Sequence, residues 1–121
     1  MPQDESNLPC IIAIDIGTTA IKFVVFSTKL KEIFFKEVKL QTYRLAQNAS
    51  EQDADEVWLA AQICLKEIGK KFKQPLALCF SAAMHSILAV DENGDALSKA
   101  ILWSDLRSKE EASTLRIYEL G

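Results

Sequence analysis

A carboxylate and a glycine–threonine turn lie together near the start of the chain, inside the apolar segment IIAIDIGTTAIKFVVF (residues 11–26). Asp15 interrupts the first apolar run, and Gly17–Thr19 separates it from the second. Glycine lets an anion approach the backbone closely, and consecutive turn amides can form an anion-binding concavity. A carboxylate beside phosphates suits Mg²⁺, and a charge within a buried strand needs a partner. The pattern indicates a metal at Asp15 and a phosphate at Gly17–Thr19, with an ordinary β-hairpin as the alternative.

The elements around this turn exclude the common phosphate loops. Cys10–Ile16 and Ala20–Ser27 are rich in β-branched and aromatic residues and predict strands, whereas Walker-type and Rossmann loops run from a strand into a helix. Glu32–Thr42 predicts a third strand, which completes an antiparallel meander. Tyr43–Gln52 is polar and predicts irregular structure.

A helix is predicted over residues 53–72, with Asp53 and Glu56 as a capping box and Pro75 blocking its continuation. Trp58 and Leu65 are expected to widen its apolar face, which has helical spacing: Val57, Ala61, Cys64, Ile68, Phe72. The continuous apolar run Leu76–Ser81 predicts a fourth strand, parallel to an earlier one and buried on both faces.

The last part of the chain carries two further polar segments. Met84 and His85, the chain's one histidine, follow the fourth strand, and Trp103, Asp105 and Arg107 lie further along the chain. A final helix is predicted to start near Asp105 or Ser108, and Ser108 with Glu111 forms a second capping box. Between the two polar segments, 87–90 and 96–102 predict strands joined by an Asn-Gly hairpin turn. Each polar residue alone has an ordinary structural explanation, such as a helix cap for Asp105. Ligand sites of open α/β sheets lie at the carboxyl ends of strands, where these segments would converge.

Three motifs together resemble the N-terminal region of the FGGY carbohydrate kinases: DIGTTAIK (15–22), AMHS (83–86) and WSDLRS (103–108). The match covers the chain from about Ile11 to the last helix, in the same order and spacing. The AMHS form is most similar to gluconokinase-type members, whereas xylulokinase-type members more often have Gln before the Met-His pair.

The resemblance implies a ribonuclease H-like, actin-type α/β fold, here incomplete, and ATP-dependent phosphorylation of a sugar or sugar acid, with gluconate favoured. Asp15 would serve Mg²⁺, Gly17, Thr18, Thr19 and Lys22 would lie at the phosphates of ATP, and the substrate would meet these residues: Met84, His85, Trp103, Asp105, Arg107. The family's catalytic base and most of its adenosine site lie later in the sequence, so we expect no catalytic residue in this chain and no activity of the chain alone. The alternatives are a non-catalytic sugar- or nucleotide-binding or dimeric module, and another actin-fold ATPase.

Composition limits the remaining possibilities. The chain has 121 residues, a net charge of −3 and no apolar run long enough to span a bilayer, so we expect no nucleic-acid or membrane partner and a cytoplasmic protein. Residues 1–9 are expected to form a flexible lead-in and 10–121 a single incomplete domain. The cysteines are expected to be buried free thiols: Cys10, Cys64, Cys79. The fourth strand is expected to be an open sheet edge that can pair with a second copy.

Overall fold

The computed structural model describes residues 7–118. The strands are β1 (Pro9–Ile16), β2 (Ala20–Ser27), β3 (Glu32–Lys39), β4 (Glu51–Gln52), β5 (Gln74–Ala82) and β6 (Ala100–Ile101). The helices are α1 (Ala54–Lys71) and α2 (Lys109–Tyr118). The chain divides into two compact units: unit 1 comprises the residues up to Leu40 with Asp55–Ala83, and unit 2 comprises Gln41–Ala54 with the residues from Met84 onward.

Unit 1 is built on a mixed four-stranded sheet in the order β3-β2-β1-β5. β1 and β2 pair antiparallel, as do β2 and β3, whereas β5 returns parallel to β1 after the helix α1. The predicted meander, crossover helix and parallel fourth strand are therefore confirmed. The bounds differ slightly, since β1 begins at Pro9 and β3 ends at Lys39 rather than Thr42. Residues 1–6 of the predicted lead-in lie outside the described residues.

The core of unit 1 lies between one face of the sheet and the apolar face of α1. Alternate side chains of β1 and β2 are buried together with four residues that the helical spacing predicted: Ala61, Cys64, Ile68 and Phe72. The Phe72 ring meets Phe34 of β3 edge to face, with centroids 5.8 Å apart. Lys36 of β3 forms an ion pair with Glu67 of α1 beside this core. Every second side chain of the strands and the side chains at helical spacing in α1 are therefore buried in the same interface.

Three burial predictions were wrong. Every residue of β5 is exposed, including Cys79, although the apolar run predicted burial on both faces. Phe80 pairs in register with Ile14, so it lies on the α1 side of the sheet, yet 63% of its surface is exposed. Trp58 on α1 is 61% exposed and does not widen the buried stripe, whereas Leu65 packs against the core. The reason is that α1 packs on β1, β2 and β3 but not on β5, so an apolar composition alone does not ensure a covering layer.

Unit 2 contains little regular structure besides α2. Its described segments are joined by short antiparallel pairings: β4 with β6 through two residue pairs, and the single bridges of Tyr43 with Glu51 and Ile87 with Ile101. The strands predicted over 87–90 and 96–102 are reduced to isolated bridges and the two residues of β6. The region predicted to be irregular contains the short strand β4. α2 begins directly after Ser108, the later of its two predicted starts.

The predicted Asn-Gly turn is confirmed, with Gly94 at a φ of 87°. Asp91 closes the turn: its backbone N–H donates to the Asp95 carbonyl, and its carboxylate accepts from the backbone N–H groups of Asn93 and Asp95, each over 2.9 Å. These hydrogen bonds to the ionised form hold the pKa of Asp91 below its usual range.

Replacing Phe72 by alanine is expected to lower the free energy of unfolding by about 3–5 kcal/mol, because a large ring is removed from a closed core. Phe72 is 1% exposed. Phe80→Ala is the matched control, since this ring is exposed and its loss should change stability by no more than about 0.5 kcal/mol. Urea denaturation followed by circular dichroism measures both. Equal losses for the two variants would contradict the described position of the core.

Candidate functional site

The predicted hairpin turn connects β1 to β2 as expected. The Gly17 N–H donates to the Ala20 carbonyl over 3.0 Å, and a Cβ on Gly17 would lie 3.0 Å from that same oxygen. A side chain at this position would therefore press on the turn backbone, so close packing favours glycine. Two further hydrogen bonds of 2.9 Å hold the turn from its sides: Leu40 N–H donates to the Thr19 carbonyl, and Ala83 N–H donates to the Ile16 carbonyl.

Asp15 lies on the face of the sheet opposite the core, and its exposure corrects the expectation of a buried charge. Its carboxylate has no hydrogen-bond or ion-pair partner among residues 7–118. Register places Ser81, Asp15, Lys22 and Glu37 in one row across β5, β1, β2 and β3. Strand pairing therefore brings an ammonium group between two carboxylates on one open face.

A shallow cavity of about 180 Å³ lies on this face. Asp15, Lys22, Cys79 and Ser81 contribute its polar side chains, and Ala13 and Val24 its apolar floor. The part of the chain that the structure describes holds no group of three or more His, Cys, Asp and Glu residues that could hold a metal by themselves. One available carboxylate nevertheless fits Mg²⁺, which takes one or two carboxylates and completes its shell with water and phosphate oxygens.

Three of the residues predicted to contact the substrate are exposed: Met84, His85 and Trp103. Met84 is 70% and Trp103 60% exposed, and His85 is exposed as well. The bridge between Ile87 and Ile101, with N–H···O distances of 2.9 and 2.8 Å, runs the two segments antiparallel. His85 and Trp103 each lie two residues from this bridge, so unit 2 brings their segments together. His85 also has a φ of 62°, a left-handed conformation that is costly for a residue with a Cβ.

Asp105 and Arg107 form an ion pair, and both make hydrogen bonds to the Ser50–Glu51 segment. The Asp105 side chain is 5% exposed and accepts hydrogen bonds from the Ser50 N–H at 2.8 Å and from the Arg107 Nε and Nη2 at 3.0 and 2.8 Å. Arg107 Nη2 also donates to Glu51 Oε1 at 2.6 Å. This clamp, defined as Ser50, Glu51, Asp105 and Arg107, joins two segments of unit 2. A ligand hydroxyl that donates to Asp105 would have to share carboxylate oxygens that already accept several hydrogen bonds.

The clamp shifts the pKa of both of its central groups. Hydrogen bonds from Arg107 and from the Ser50 N–H hold the pKa of Asp105 well below its usual range. The Asp105 and Glu51 carboxylates raise the pKa of Arg107. Sequence reasoning missed Ser50 and Glu51, since they lie in a polar segment without a motif and contact partners more than fifty residues away.

The structure places the predicted site residues in two groups, each within one unit. Unit 1 holds Asp15, Gly17–Thr19 and Lys22 on one hairpin. Unit 2 holds the others: Met84, His85, Trp103, Asp105, Arg107. Unit 2 ties Asp105 to Arg107 directly and leaves the remaining three exposed.

Asp105→Asn is expected to lower the melting temperature at pH 7, because it removes the charge that pairs with Arg107. The pKa of Asp105 is lower in the folded than in the unfolded chain, so its contribution to stability is complete above about pH 5 and is lost as the pH falls toward the folded value. The wild type should therefore lose more stability than the variant on acidification below about pH 5. Thermal unfolding across pH 3–7 measures this. The exposed Asp95→Asn is the control, and parallel curves for wild type and Asp105→Asn would refute the clamp.

No helix within residues 7–118 is long and apolar enough to cross a membrane.

Comparison with solved structures identifies the fold. The chain superposes on gluconate kinase from Lactobacillus acidophilus with a TM-score of 0.86 at 23% identity, over 92% of this chain and 23% of that one. Xylulose kinase from Rhodospirillum rubrum gives a TM-score of 0.84 at 21% identity. The fold is therefore the actin-type, ribonuclease H-like α/β fold that the resemblance implied.

Sequence comparison identifies the family. Gluconokinase of Bacillus licheniformis is 36% identical over 118 residues, which cover 90% of this chain and 23% of that protein. Xylulose kinase of Staphylococcus epidermidis strain RP62A is 33% identical over 102 residues, covering 81% of this chain and 21% of that protein. The chain thus spans less than a quarter of the length of these relatives. The model of the FGGY family of carbohydrate kinases, N-terminal domain, matches residues 10–119, and the chain belongs to this family.

Proposed function

We propose that the chain is the N-terminal part of an ATP-dependent carbohydrate kinase, which transfers the γ-phosphoryl group to a hydroxyl of a sugar or sugar acid. One observation carries the proposal: in a member of this family, an exposed carboxylate with no partner among residues 7–118 lies two residues before a tightly closed glycine–threonine turn. Family membership favours this function over another actin-fold ATPase.

In this proposal Asp15 holds Mg²⁺, and Gly17, Thr18, Thr19 and Lys22 contact the phosphates of ATP. Bound Mg²⁺ neutralises charge on the phosphates, which is the main requirement of phosphoryl transfer. The open face around Asp15 leaves room for phosphate and water oxygens, because Ala13 and Val24 present small side chains there. Lys22, opposite Asp15 in register, supplies a positive charge at the same edge.

The substrate pocket in this proposal contains Met84, His85, Trp103, Asp105 and Arg107. Trp103 and Met84 offer exposed apolar surface for one face of a sugar, and His85 can exchange hydrogen bonds with hydroxyls. The clamp supports a mainly positioning role for Asp105, while the Arg107 side chain, 40% exposed, keeps donors for a ligand. An arginine fork suits a carboxylate, and gluconokinases are among the similar proteins, so gluconate is the favoured substrate.

The proposed domain begins near residue 10 after a short lead-in, and the 121-residue chain alone is expected to be inactive. In this proposal the catalytic base lies beyond the matched segment, and we assign that role to none of residues 7–118. Without a base, the acceptor hydroxyl keeps its proton and is not activated, even where phosphate charge is neutralised and the substrate is bound.

Asp15→Asn is expected to abolish Mg-ATP binding to the 121-residue chain in calorimetry and to lower gluconate phosphorylation by the complete gene product about a hundredfold or more, because one metal ligand is lost. Asp95→Asn, with the same chemical change at an exposed hairpin, should leave both unchanged. Gluconate, xylulose and glycerol are compared as acceptors.

Normal turnover by the 121-residue chain would contradict its proposed incompleteness. Full activity of Asp15→Asn in the complete gene product would refute the metal role.

A second candidate role, a dimeric interaction module, is favoured by the open edge of the sheet. Among the described residues, β5 has one strand neighbour, β1, and presents exposed Leu76, Leu78 and Phe80. Its nine residues carry no charge. We propose that a second copy pairs with β5 antiparallel, because two identical uncharged strands bring no like charges opposite each other.

Phe80→Lys is expected to weaken this self-association at least tenfold, because it places charge at the centre of the paired edges. Leu59→Lys makes the same kind of change on an exposed position of α1 and should leave association intact. Sedimentation equilibrium of the 121-residue chain measures both. A monomeric wild type, or equal weakening by both variants, would refute pairing through β5.

A further inference from the structure

Another cavity, of about 330 Å³, lies in unit 2, and none of the sequence motifs predicted it. It is lined by Arg44, Ala46, Asn48, Ala49, Ser50 and Ser104. We propose that this cavity binds the oxyanion group, a carboxylate or a phosphate, of a small hydroxylated molecule. The proposal does not depend on kinase activity.

The cavity offers hydrogen-bond donors that the described chain does not use. Arg44 and the Asn48 side-chain amide have no partner among residues 7–118. The Ser50 and Ser104 hydroxyls lie 2.8 Å apart, so one donates to the other and the second hydroxyl proton stays available. A guanidinium, an amide and a hydroxyl together match the acceptor oxygens of a carboxylate or phosphate.

The backbone around the cavity is held in place before any ligand arrives. The Ala49 N–H donates to the Ala46 carbonyl over 3.1 Å, and the Leu106 N–H donates to the Asn48 carbonyl over 2.9 Å. Asn48 has a φ of 65°, a left-handed conformation that asparagine tolerates better than most residues. Ala46 and Ala49 have small side chains, which leave volume beside Arg44. Such a preorganised loop reduces the ordering that binding requires.

The charges around the cavity favour an anion over a cation. Arg44 is the one charged residue among its lining residues. The nearest carboxylates in the hydrogen-bond network, Asp105 and Glu51, both accept from Arg107, so their charge is partly compensated. A single exposed guanidinium in water gives modest affinity, so we expect millimolar binding that weakens with salt.

The test is a titration of the isotopically labelled 121-residue chain, followed by NMR, with sodium gluconate, inorganic phosphate or neutral xylitol as the probe and without Mg²⁺. Gluconate, phosphate or both are expected to shift the signals of Arg44 Nε and of the Ser50 and Ser104 amides, and xylitol is not. Arg44→Gln is expected to weaken this binding about tenfold, as the loss of a charged hydrogen bond predicts. Lys29→Gln, which removes one positive charge from an exposed position of unit 1, is the control and should bind as the wild type does.

The probes distinguish the two chemical sources of the oxyanion. Shifts with gluconate alone assign a sugar-acid subsite, and shifts with phosphate assign a phosphate site. Binding that survives Arg44→Gln in a variant folded by circular dichroism, equal binding of xylitol, shifts confined to Asp15 and Lys22, or no binding of either anion would each overturn the proposal. Gluconate shifts that centre on Met84, His85 and Trp103 and survive Arg44→Gln would report the proposed substrate pocket instead, so the two proposals can fail separately.

Discussion

Burial of one face of α1 against β1 and β2 is the constraint on which the rest of unit 1 depends. Phe23, Phe72 and Ile14 are almost completely buried there, and removing such area from water supplies most of the stability of a small unit. Because side chains alternate along a strand, burying Ile14 on one face sends Asp15 to the other. The same packing that stabilises the sheet therefore presents an exposed carboxylate beside the turn.

Unit 2 depends on polar contacts for its internal packing more than unit 1 does. Its buried residues include Ser50 and Gln52 beside Ala49 and Leu102, and the clamp joins segments that share only short strand pairs. The ion pair of Asp105 with Arg107 fixes how these segments are arranged. The Asp105 side chain is nearly buried, so moving Arg107 or Ser50 away would leave its carboxylate without hydrogen bonds. This explains how Trp103 and Ser104 are positioned in a region with little regular structure.

Errors of the sequence reading share one physical origin. Composition reports what a segment could bury, whereas burial requires another layer to cover it. The apolar run of β5, which includes Cys79, met the compositional criterion, yet α1 packs on β1, β2 and β3 and leaves β5 uncovered, and Trp58 on α1 is itself exposed. The opposite error concerned Asp15, whose apolar neighbours suggested a buried charge although its own face of the sheet is open.

Local sequence determined the strands of the meander, the helix α1, the two turns and the membership of a family, since periodicity, glycine and short motifs act within a few residues. Tertiary structure decided which faces are covered and which polar groups have partners. Glu51 and Arg44 illustrate this: both are charged residues of one polar segment, but one pairs with Arg107 and the other lines a cavity without a partner among the described residues. Contacts between positions far apart in the chain depend on how the segments pack, which no local pattern specifies.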